Sequence, residues 1–162
     1  MIKVHLPVAK EVRDLLSDLL GKPVSIEPAA PLAPGPKRPA TIGVYVDDHL
    51  RVAALICFDL PLSAYTAAAI GLVPPAVAED AVRDGVLSEV LRENLHEVLN
   101  IAVGLFNSTP GADHLRLHAM HPAGAPTPQD VLVQALTLGR RTDMRIDVPN
   151  YGPGVLSVVQ TF

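Results

Sequence analysis

Val86–Asn107, VLSEVLRENLHEVLNIAVGLFN, is the stretch on which the fold reading turns. Leu87, Leu91, Leu95, Val98, Ala102 and Leu105 recur in steps of three and four residues, the mark of one buried helix face. Glu89, Glu93, Glu97, Asn100, Gly104 and Asn107 form a second line on the same spacing. The pattern predicts one helix through the whole run. Asn100 is its anomaly. Asparagine is a poor interior helix residue, because its amide competes for nearby backbone groups. Burying that amide unpaired would cost about 1–3 kcal/mol. It is therefore either satisfied by a specific neighbour or turned outward for use. Glu97, three residues earlier, projects from the same face.

Composition narrows the possibilities. A chain of 162 residues, 49% hydrophobic, is long enough for a real core and too apolar for disorder. A net charge of −4 and few aromatic residues argue against nucleic-acid binding. No apolar stretch approaches the roughly 20 residues of a membrane span. The opening Met1-Ile2-Lys3-Val4-His5-Leu6-Pro7 lacks a signal-peptide core, so a cytoplasmic location is expected. Cys57, the lone cysteine, sits in the apolar run Val52–Phe58 and reads as a small buried hydrophobe.

Outward from the central run, Glu11–Leu20 reads as a short amphipathic helix stopped by Gly21. Val24–Glu27 suits a strand. Prolines at 28, 31, 34, 36 and 39 favour extended chain, read as a loop within one domain spanning residues 1–162. Thr41–Val46 and Arg51–Asp59 suit a hairpin with Asp47-Asp48 in the turn. Leu62–Gly71 is Ala-rich and helical, ended by Pro74-Pro75. His114–Met120 alternates as a strand with Leu115, Leu117 and Ala119 facing one way. Val131–Thr137 is open between strand and helical turn. Arg141–Val148 and Val155–Phe162 read as strands around a turn over Pro149–Gly154. The expected class is α+β, a mostly antiparallel sheet packed against the long helix and shorter helices.

Glu97-Val98-Leu99-Asn100-Ile101-Ala102-Val103-Gly104 resembles the Glu-x-x-Asn-(Ile/Met)-x-x-Gly helix of the CheC/CheX/FliY family of response-regulator phosphatases. The order of elements over about residues 41–162 is also similar. One such motif is visible, as in the CheX-like branch. Glu93 stands where the family often has Asp or Ser. The resemblance implies hydrolysis of the phospho-aspartate of a CheY-like receiver domain, with Asn100 orienting water and Glu97 pairing with the receiver's lysine. It also implies Glu93 and Gly104 at the docking surface, no cofactor on this chain, and Mg²⁺ supplied by the receiver. Single-motif members associate through their sheets, which implies a homodimer covering the late strands. The alternative is a non-catalytic module of this fold that binds a signalling partner.

Other constellations are weaker. A strand puts His121 opposite His114 and His118, which disfavours a metal site. His96 adjoins Glu97 but points about 100° away around the helix. Gly152-Pro153-Gly154 lacks a phosphate-loop lysine and reads as a turn.

Overall fold

The computed structural model describes residues 2–162. The elements run α1 (Ala9–Leu20), β1 (Ser25–Pro28), β2 (Ala40–Val46), β3 (Val52–Asp59), α2 (Leu60–Ile70), α3 (Pro75–Asp84), α4 (Glu89–Ile101), α5 (Gly104–Asn107), β4 (Arg116–His121), α6 (Gln129–Ala135), β5 (Arg140–Val148) and β6 (Gly152–Gln160). The six strands make one sheet in the order β1-β5-β6-β3-β2-β4, with every neighbouring pair antiparallel. The class is α+β.

Both faces of the sheet are covered. Tyr45, Ile56, Phe58, Met144, Ile146, Leu156 and Val158 pack against the layer formed by α1 to α5. Ile42, Val44, Leu55, Cys57 and Val159 face the other way, under Leu32 of the proline-rich segment and Val131 and Ala135 of α6. This is why β2 and β3 read as continuous apolar runs rather than alternating ones. Burial pushes the Cys57 thiol up to about 12.

Local chemistry sets the element ends. Asp59 caps α2 by accepting the Leu62 N–H at 2.9 Å. Asp47 fixes the β2–β3 turn, its carboxylate accepting from His49 N, Arg51 N and Arg51 Nε at 2.8–2.9 Å. Pro28 ends β1, an edge strand, where a missing N–H costs no ladder bond.

Several expectations are corrected. Pro74-Pro75 does not only end α2. Pro75 begins α3, because proline is tolerated in the first helical turn, where N–H groups lack partners. Val131–Thr137 resolves as helix α6. The Gly152–Gly154 segment belongs to β6 rather than a turn: Gly154 pairs with Ile146, and Leu62 of α2 packs where its side chain would be. Leu115, Leu117 and Ala119 do not share a face. The β2–β4 register pairs Tyr45 with Leu117 but Val44 with Ala119, so a bulge at His118 turns Leu117 toward the helices and Ala119 toward the opposite face. The late strands are not open edges either. β1 covers β5 and β3 covers β6, leaving β1 and β4 as the edges of the sheet among the described residues.

Candidate functional site

The predicted single helix Val86–Asn107 is two helices. α4, Glu89–Ile101, is capped by Ser88, whose Oγ accepts the Leu91 N–H; α5 is one turn, Gly104–Asn107. The buried side of α4 is Leu91, Leu95, Val98 and Leu99, with Ala102 buried just beyond its end. Gly43 of β2 lets α4 approach closely, since a Cβ there would lie 3.2 Å from a Leu99 methyl.

Three asparagines lie along these helices, and they divide by partner. The Asn94 Nδ2 donates to the Ala67 carbonyl of α2 at 3.1 Å, in the space left by Gly71. The Asn107 side chain closes a two-bond clip with Leu115, donating to its carbonyl at 2.8 Å and accepting its N–H at 2.9 Å. Asn107 therefore leaves the polar line expected of it and becomes a structural tie. Asn100, between them, is exposed, and among the described residues its amide has no hydrogen-bond partner.

Glu93 and Glu97 are exposed on the same side of α4, and neither carboxylate makes an ion pair within the described residues. Gly104 is exposed with open space where a side chain would stand. Val90, 54% exposed, and Ile101, 39% exposed, sit at the two ends of this acidic and amide stripe. Sequence patterning alone did not single them out, because an apolar residue on a polar helix face is common. The surface thus offers a carboxylate acceptor, an amide that donates and accepts, a bare backbone position, and two apolar contacts.

Tyr45 of β2 bonds the backbone of Leu99, the residue before Asn100. Its phenol is fully buried and donates to the Leu99 carbonyl at 2.5 Å, while its ring lies 5.1 Å from the Phe106 ring at 58°. Burial pushes the Tyr45 hydroxyl well above its ordinary pKa, so it remains a donor across the working pH range. A tyrosine in a strand reads from sequence as core, and nothing in the sequence discloses a bond to a helix some fifty residues on.

The remaining candidates stay apart. His96 is exposed beside the stripe. Among the described residues no three His, Cys, Asp or Glu side chains converge to hold a metal ion, and no helix is long and apolar enough to cross a membrane.

Neither a protein-family model nor a curated protein sequence matches the chain. Solved structures do. A FliM–SpeE complex from H. pylori aligns with a TM-score of 0.62 at 9% identity, over 94% of this chain and 81% of the other. The FliM middle domain from Vibrio alginolyticus aligns with 0.60 at 13% identity, over 94% and 88%. A CheX–CheY–BeF₃–Mg²⁺ complex from Borrelia burgdorferi aligns with 0.55 at 14% identity, over 90% of each chain. The chain is therefore similar in fold to CheX and to the FliM middle domain.

Proposed function

We propose that this chain docks its α4 face on a phosphorylated CheY-like receiver and hydrolyses the aspartyl phosphate. The observation that carries the reading is the unpartnered Asn100 amide, exposed beside an unpaired Glu97, while Asn94 of the same helix and Asn107 of α5 are both tied down. A polar side chain that the fold does not use, held on a rigid mount, is what positioning chemistry requires. A CheX–CheY complex among the fold neighbours supports the partner class.

In this mechanism Glu97 pairs with the receiver's lysine and sets the docking register. The Asn100 Oδ1 accepts a hydrogen bond from a water and aims its oxygen at phosphorus, in line with the acyl oxygen. The new P–O bond forms as the acyl P–O bond breaks, and the receiver's aspartate leaves as a carboxylate. The water's proton passes to the departing phosphate or to solvent. The receiver's own Mg²⁺ neutralises phosphoryl charge. Gly104 lets the receiver backbone approach, and Val90 and Ile101 supply apolar contact on either side of Glu97 and Asn100.

Asn100→Ala tests this directly. It should cut turnover while leaving affinity for the receiver nearly unchanged, because the lost contact belongs to the transition state. Glu97→Ala should instead weaken binding, and the parent complex should weaken with salt as the Glu–Lys pair is screened.

A second reading, an interaction module without catalysis, is favoured by Val90 and Ile101, which offer contact area and no chemistry. Its fold neighbours include a protein solved in complex with SpeE. It predicts receiver binding that leaves the phosphate lifetime unchanged.

A further inference from the structure

An α-helix that continued through Ile101 would have Val103 N–H donating to the Leu99 carbonyl and Gly104 N–H to the Asn100 carbonyl. Neither bond forms. Ala102 N still reaches Val98 O at 2.9 Å, and the next backbone bonds are Leu105 N to Ala102 O and Phe106 N to Val103 O, both one residue shorter in span. Among the described residues, Val103 N and Gly104 N have no protein acceptor. No proline causes this interruption, and the backbone of Ala102 and Val103 stays right-handed. The Leu99 carbonyl accepts instead from the Tyr45 hydroxyl, a side chain inserted into the helical ladder.

The reason is the phenol's burial. A fully buried hydroxyl must find an acceptor, and here its single partner is that carbonyl. The Tyr45 ring is wedged against Phe106 of α5, and Gly43 brings Leu99 down onto β2, so the ring is not free to turn away.

We propose that Tyr45 is a positioning residue for Asn100: by holding the Leu99 carbonyl it ends α4 one residue beyond Asn100 and swings the Gly104 turn off the Asn100 line. The inference rests on the phosphatase reading for its functional half and on the backbone bonding alone for its structural half. In Tyr45→Phe the carbonyl is released to Val103 N–H, the helix closes up, and Gly104 stacks one turn above Asn100. The amide then meets the receiver at a changed depth and angle. Misplacement of this kind costs turnover far more than affinity.

The test uses the full chain and a phosphorylated CheY-like receiver, with amide exchange read at Val103 and Gly104. Tyr45→Phe should slow exchange at both amides by about tenfold and lower kcat by about tenfold, with KM within about twofold. A general loosening would instead speed exchange at Val103, Gly104, Phe106 and Asn107 together, so the direction of the change separates positioning from loosening. Unchanged exchange and kcat in Tyr45→Phe, or faster exchange across α5, would overturn the proposal. If Tyr45→Phe does not fold, exchange at Val103 and Gly104 in the parent decides: rates as slow as at Ala102 overturn the break that the proposal explains, and rates at least about tenfold faster support it. If the parent hydrolyses nothing, the phosphatase reading falls, and the exchange data still decide whether Tyr45 breaks the helix.

Discussion

Arg141→Met should be among the most destabilising substitutions in this chain, although Arg141 lies on the face of the sheet opposite the proposed site. Its side chain is 6% exposed and is paired with Asp143, itself 10% exposed, at 2.9 Å. The guanidinium also donates to the carbonyls of Ala135 and Thr137 at the end of α6 and of Leu32 in the proline-rich segment. Ser157 Oγ donates to the same Asp143 at 2.5 Å and accepts the Leu32 N–H. One cation therefore ties the proline-rich segment and α6 to the sheet. Methionine fills much of the volume but leaves a buried carboxylate without its cation and three carbonyls without a donor. Breaking one side of such a pair costs about 3–5 kcal/mol. At about 2–4 °C per kcal/mol for a chain of this size, the melting midpoint should fall by roughly 6–20 °C. Urea unfolding of parent and variant measures the difference. Replacing both partners, Arg141→Met with Asp143→Leu, should recover part of the loss, because no charge is then stranded although the three carbonyls still lack a donor. A loss under about 1 kcal/mol in the single variant, the range of an exposed pair, would refute the clamp.

Three further outcomes follow from other sites. Gly154→Ala should destabilise by about 1–3 kcal/mol in urea unfolding, since its Cβ would fall 2.5 Å from Leu62 Cβ and 2.6 Å from Leu62 N. Burial raises the Asp59 carboxyl above its ordinary pKa, against the Leu62 and Val155 N–H groups and Arg38, which act the other way. A raised folded value means that its stabilising contribution is full below the unfolded carboxylate pKa of about 3.9 and is lost as pH rises through the folded one. Parent stability should thus decline relative to Asp59→Asn as pH rises above about 4, and a parallel pair of curves would contradict the sign. In the proposed mechanism Asn100 only orients water, so the dephosphorylation rate should be nearly flat from about pH 6.5 to 8.5, and His96→Ala should retain most activity. A steep rise that vanishes in His96→Ala would mean a general base.

The helix register, the hairpin and the α+β class were legible because each rests on local periodicity and turn chemistry. The Glu97–Asn100 pair was legible as an anomaly, a poor helix residue on an otherwise consistent face. What sequence could not supply was long-range. The Leu99 carbonyl beside the break after Ile101 is bonded by Tyr45 from a strand, and the burial of Arg141 depends on a proline-rich segment folding over the far face. Asn107 sat on the predicted polar line, and only its distance to Leu115 shows it to be a tie. The bulge at His118 reversed Ala119, because period-two reading carries no signal for an inserted residue.

The central claim is tested most directly by following phosphate on a CheY-like receiver, phosphorylated and Mg²⁺-bound, with a substoichiometric amount of this protein. The parent should turn over many receivers and shorten the phosphate lifetime. Asn100→Ala, at equal receiver occupancy, should return the lifetime to about that of the receiver alone. Equal acceleration by parent and Asn100→Ala, or binding by the parent with no change in lifetime, would contradict the account.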